Sequence, residues 1–93
     1  MARIYPLFSS SKGNSTFIGE PGGGILIDAG VSFKKLTAAL SDSGLSLASI
    51  KGIFITHSHS DHVKGLKMLT KKTGLPVFGQ RETLEELISG EMI

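Results

Sequence analysis

The apolar positions of this chain come in short runs whose spacing changes along the sequence, and that change marks out the elements. Residues 2–8 read as a first strand, with Ile4 and Phe8 among the apolar positions. The serine-rich stretch 9–15 reads as a loop by composition. Residues 16–19 form a second strand, and Glu20-Pro21-Gly22-Gly23-Gly24 turns the chain into a third at 25–28, an antiparallel hairpin. Phe33, Leu36 and Leu40 then recur at helical spacing behind Ser32, an N-cap, and Ser43-Gly44 closes that helix. Residues 45–50 lead into the apolar strand 52–55, a run consistent with burial on both faces. Val63, Leu66 and Leu69 mark a helix over 63–73 that stops at Gly74, and residues 75–78 give a short strand. Leu84, Leu87 and Ile88 define a last helix, begun by a Thr83/Glu86 capping box. Tyr5, Phe8, Phe17, Phe33, Phe54 and Phe78 fall at core positions of these elements. Strands alternating with helices after an opening hairpin make an α/β layer: one mixed sheet with helices on one face. The other face has nothing to cover it.

All three histidines lie between strand 52–55 and helix 63–73, in Thr56-His57-Ser58-His59-Ser60-Asp61-His62. In extended chain His57 and His59 point to the same side, while Asp61 and His62 follow where the chain must turn. Two pairs aimed at neighbouring points suit two metal ions sharing one pocket. Neutral imidazole favours zinc, iron or copper, and a carboxylate also accepts harder cations. The bland alternative is a solvated polar loop. An expression tag would be a terminal homopolymer, and this run is internal, mixed and preceded by a strand. Asp28 ends an apolar strand, where an unpaired carboxylate would be costly. Ser9, Ser10, Ser11, Asn14 and Ser15 either line a substrate rim, offering hydroxyls and an amide to phosphate or sugar oxygens, or hold their own backbone in a turn. Gly22-Gly23-Gly24 is no phosphate loop, because no Lys-Ser/Thr follows at the required spacing.

The run His57-x-His59-x-Asp61-His62 resembles the signature of the metallo-β-lactamase-fold hydrolases, and Ile25-Leu26-Ile27-Asp28-Ala29-Gly30 resembles that family's strand ending in Asp-x-Gly. Ser9-Ser10-Ser11-Lys12-Gly13-Asn14-Ser15-Thr16 is similar to the Gly-Asn-Ser/Thr turn of its YycJ/WalJ-like, exonuclease-like branch. The resemblance implies the N-terminal half of an αββα sandwich. It implies two divalent ions, zinc or manganese, one held by His57 and His59 and the other by Asp61 and His62. Asp61 would also be catalytic, orienting the attacking water or handling its proton. Asp28 and Thr56 would support the ligands from behind. The reaction implied is metal-dependent phosphodiester hydrolysis, with nucleic acid as the partner. Another hydrolase of the same fold (thioesterase, lactonase or β-lactamase) is the alternative, and a non-enzymatic truncated module is a third.

Ninety-three residues permit one domain with a modest core. The family's domain is about twice as long or more, and its remaining ligands come later. Here no histidine follows His62 and no aspartate follows Asp61. The expectation is therefore that residues 1–93 are the truncated N-terminal portion of the domain. Alone they should be poorly metallated and inactive, and the uncovered sheet face should drive homo-oligomerisation. No cysteine is present, no signal peptide is apparent, and no apolar run approaches a bilayer span, so a cytoplasmic protein without membrane contact is expected. The net charge of +2 hides an asymmetry. All ten Lys and Arg precede residue 82, against Glu20, Asp28, Asp42 and Asp61, whereas the last twelve residues carry four glutamates and no base. Such a basic portion would attract a phosphate-bearing substrate, unless its lysines simply solubilise outer helix faces.

Overall fold

The computed structural model describes residues 3–10, 13–57 and 60–90; the side chains of Ser10, Ser60 and Asp61 lie outside that description. Five strands form one mixed sheet in chain order: β1 (Arg3–Ser10), β2 (Gly13–Glu20), β3 (Gly23–Ile27), β4 (Ile50–Ile55) and β5 (Val77–Gly79). The first three strands are antiparallel, and β3, β4 and β5 run parallel. Helix α1 (Phe33–Asp42) connects β3 towards β4, through a 3₁₀ turn at Leu47–Ser49. A short α2 (Ser60–Val63) and α3 (Leu66–Thr73) connect β4 to β5, and α4 (Arg81–Ser89) follows. The expected α/β architecture, one mixed sheet with helices on one face, is the architecture observed.

Strand parity decides what the sheet buries. Successive side chains of a strand point to opposite faces. Phe17, Leu26 and Ile53, cross-strand neighbours in register, are fully buried on the helix side, and the Tyr5 ring packs beside Phe17 with centroids 5.7 Å apart. Leu36 and Leu40 of α1, Leu66 and Leu69 of α3 and Leu87 of α4 complete that core. On the opposite face Ile4 pairs with Ile18, Ile18 with Ile25, and Ile25 with Gly52, over which the Phe78 ring lies. Ile4, Ile18, Ile25, Phe54 and Phe78 are all exposed there.

Four expectations need correction. Phe54 and Phe78 are not core residues: parity sets them on the face opposite buried Ile53 and half-buried Val77, where Gly52 is buried beneath the Phe78 ring but Phe54 is exposed. The serine-rich stretch is not simply a loop, because Ser9 pairs with Asn14 and Ser10 with Gly13, carrying the β1–β2 ladder through it. The helix expected over 63–73 is broken at Lys64-Gly65. A β-carbon on Gly65 would sit 2.2 Å from the Val31 carbonyl oxygen, and the Gly65 N–H bonds to the Ala29 carbonyl at 2.7 Å. Contact with the β3–α1 loop wins over continuing the helix. Finally, α4 begins at Arg81 behind Gln80, so Thr83 is inside the helix and caps nothing.

Candidate metal centre

Two loops meet where the parallel strands β3 and β4 end. The loop after β3 supplies Asp28, which is 5 % exposed and has φ of 64°, a left-handed conformation that costs most L-residues about 1–2 kcal/mol. The fold holds it there from several sides. The Asp28 N–H donates to the Phe54 carbonyl at 2.8 Å, and its own carbonyl accepts from the buried Ser15 hydroxyl at 2.8 Å. Beyond it, the Ala29 N–H bonds to the His62 carbonyl at 2.7 Å and the Gly30 N–H to the Asn14 carbonyl at 2.9 Å. The loop after β3 is thus tied to β2, to the end of β4 and to α2.

The Asp28 carboxylate turns towards the histidine loop. Oδ1 accepts the Thr56 N–H at 2.8 Å, and Oδ2 accepts the Thr56 hydroxyl at 2.6 Å and His62 Nδ1–H at 2.8 Å. A hydroxyl has one proton. Since that of Thr56 goes to the carboxylate, Thr56 Oγ1 meets His57 Nδ1, 3.1 Å away, as an acceptor. In the neutral rings both histidines therefore carry hydrogen on Nδ1, an assignment that follows from the bond network. Nε2 is then the lone-pair nitrogen of each. One carboxylate sets both tautomers, that of His62 directly and that of His57 through Thr56. The two ring centroids lie 4.7 Å apart with planes inclined at 45°.

This donor chemistry fits a divalent metal. Ligating imidazoles characteristically donate their other nitrogen to a carboxylate or another acceptor, which fixes orientation and raises basicity. Among the described residues, no group of three or more His, Cys, Asp or Glu is placed to hold a metal ion. His59, the Asp61 side chain, Ser11 and the Ser10 side chain fall outside the description. Ser9 is exposed at the end of β1, whereas Asn14 is half-buried and Ser15 buried. Reading the sequence missed Gly65 and the Ala29 backbone, which clamp the turn before α3 to the β3–α1 loop. The available signal was a glycine interrupting a helical stripe.

Comparison with known proteins gives a consistent picture. Residues 11–93 match the family model described as the metallo-beta-lactamase superfamily. The exodeoxyribonuclease YycJ of Bacillus anthracis is 40% identical over 85 residues, 88% of this chain and 32% of its own length. The exodeoxyribonuclease WalJ of Streptococcus pneumoniae is 35% identical over 81 residues, 87% of this chain and 30% of its own. A metallo-β-lactamase of Cronobacter sakazakii with a HARLDQ motif superposes with a TM-score of 0.81 at 26% identity, over 94% of this chain and 35% of that one. The chain spans about a third of the length of the curated relatives it matches.

Proposed function

The chain belongs to the metallo-β-lactamase superfamily, and from that premise we propose that it is the metal-binding N-terminal portion of a hydrolase that cleaves phosphodiester bonds in nucleic acid. The observation that carries the hydrolase reading is the Asp28 carboxylate holding Thr56 and His62 behind the histidine loop. The nuclease reading is supported by the two exodeoxyribonucleases matched over most of the chain. A second reading, a β-lactamase-like hydrolase, draws on the likeness to the Cronobacter sakazakii lactamase.

Family membership implies divalent metal. In our assignment His57 and His59 hold one ion, zinc or manganese, and Asp61 and His62 the other. When bound, such ions make a hydroxide available near neutral pH and offset charge developing on a departing oxygen. The chain's own residues do the rest. Asp28 and Thr56 keep the imidazoles in the ligating tautomer, and Asp61 orients the attacking water and handles its proton. Ser9, Ser10, Ser11 and Asn14 offer hydroxyl and amide groups at the rim, while the Ser15 hydroxyl is engaged by the Asp28 carbonyl. Four ligands shared by two ions leave each with two protein donors, one fewer than catalytic zinc usually has. The 93 residues alone are therefore expected to bind metal weakly and to cleave nothing above background.

The exposed apolar sheet face supports association with a second copy of the chain. No helix among the described residues is long and apolar enough to cross a membrane, and the absence of cysteine suits a reducing cytoplasm. The test is cleavage of end-labelled oligodeoxynucleotides, with zinc or manganese, by a polypeptide that carries these residues within the complete fold. A thioester, a lactone and a β-lactam are run in parallel. Metal-dependent DNA cleavage abolished by His59→Ala is expected. Hydrolysis of one of the other substrates with DNA left intact would overturn the nuclease reading.

A further inference from the structure

Charge on the helices is unevenly explained. A helix favours acids in its first turn and bases in its last, because its N-terminus is the positive end of the macrodipole. Lys71 and Lys72 obey that rule at the end of α3. The lysines at the other end do not. Lys34 and Lys35 lie in the first turn of α1, which contains no acid and carries Asp42 at its C-terminal end, the reverse of the favoured polarity. Lys67 lies in the first turn of α3, again without an acid, and Lys64 precedes it in the connecting turn. All four side chains are exposed. Helix stability does not account for them.

The fold sets both lysine pairs at the same end of the sheet, with Lys35 on the side of α1 that faces Pro6, Leu7 and Phe8 of β1. Helices α1 and α3 both start beyond the C-terminal ends of the adjacent parallel strands β3 and β4. Gly65 packs against the start of α1: a β-carbon there would lie 3.4 Å from the Phe33 N–H nitrogen. Lys34 and Lys35 therefore follow directly on one side of this junction, and Lys64 and Lys67 flank it on the other. The same end of the sheet carries Asp28 and the histidine loop.

We propose that Lys34, Lys35, Lys64 and Lys67 form a phosphate-binding rim that guides a single strand of nucleic acid across the end of the sheet that carries the histidine loop. The proposal rests on the nuclease reading and adds the surface along which the strand lies. Successive phosphates along a strand match cations spread over the start of α1 and over the turn and first turn of α3, whereas one phosphate would need only a local pair. A lipid surface would call for exposed apolar side chains among the lysines, and Met68 is the sole large exposed one on α3.

The experiment measures binding of a fluorescent single-stranded oligodeoxynucleotide to the 93-residue chain by anisotropy. EDTA is present throughout, so neither metal loading nor cleavage contributes. The wild type is compared with Lys34→Gln/Lys35→Gln, Lys64→Gln/Lys67→Gln and the control Lys71→Gln/Lys72→Gln across a salt series. Each rim pair should weaken binding roughly tenfold at low salt and flatten the log K against log salt slope by about 1.4, the value for two lost phosphate contacts. The control pair should behave as wild type. Lys64→Arg/Lys67→Arg keeps the charge and should retain binding, which separates lost contacts from lost folding. If the oligonucleotide binds but the rim pairs match wild type, or the control pair weakens binding as much, the rim is overturned and the nuclease reading stands. If the wild type does not bind the oligonucleotide, the rim is overturned, and the nuclease reading is decided separately by the cleavage assay on the complete fold. Rim-dependent binding to phosphatidylserine vesicles in preference to the oligonucleotide would also overturn the proposal.

Discussion

Asp28 does more than any other side chain described at the site, and its bonds make separable demands. Asparagine tolerates the left-handed φ of 64° but cannot accept from Thr56 and His62 as a carboxylate does. Valine at position 56 keeps the branched shape and loses the hydroxyl that links His57 to Asp28. Long-range proton–nitrogen spectra recorded with the rings neutral should therefore show Nδ1–H on both His57 and His62. Thr56→Val should release His57 alone, and Asp28→Asn both. A wild-type ring with its hydrogen on Nε2 would contradict the network. Asp28→Ala should cost about 2–4 kcal/mol in urea unfolding, from the left-handed backbone together with the lost hydrogen bonds to exposed Thr56 and half-buried His62. The histidine run is legible in the sequence because its members are neighbours in the chain. The network behind it spans 28 residues to Thr56 and 34 to His62, so it took a family resemblance to place Asp28 beneath the loop.

Among the elements, strands and helices with a clear apolar rhythm could be read, and those governed by backbone pairing could not. Serines have no preference that would reveal a ladder. What extends β1 and β2 into them is the register that Phe8–Ser15 sets beyond a shift between Pro6 and Phe8, one residue out of step with Tyr5–Phe17. The break between α2 and α3 is similarly tertiary. Gly65→Ala should destabilise the chain by about 1–3 kcal/mol or more, since its β-carbon would strike the Val31 carbonyl, which is backbone and cannot swing aside. Gly22→Ala, with nothing within 4 Å of its β-carbon, should be close to neutral. Urea unfolding of the two variants checks the contrast. Equal stability would mean that the β3–α1 loop yields easily and that the clamp on the site is slack.

The molecule as a whole presents two unlike sheet faces, one under helices and one bearing Ile4, Ile18, Ile25, Phe54 and Phe78 in the open. At about 4.8 Å between strands this row crosses some 20 Å, wide enough for a second sheet to stack on it. Sedimentation at tens of micromolar should show a dimer or larger species, shifted to monomer by Ile18→Lys or Ile25→Lys. A monomeric wild type would rule out the pairing. A different consequence follows from the strand order, which repeats the chain order without a skip. Each strand leaving a ribosome would meet an edge already made by its predecessor, so no late segment has to thread between two early ones. The β1–β2 and β2–β3 pairings close short loops and should form fast, whereas the parallel β3–β4 and β4–β5 pairings wait on long crossovers. Protection from hydrogen exchange should therefore arise first in β2 and β3 and pass to β4. The Asp28–Thr56 bond, which exists only once β4 has paired with β3, would time the site's arrival after its scaffold.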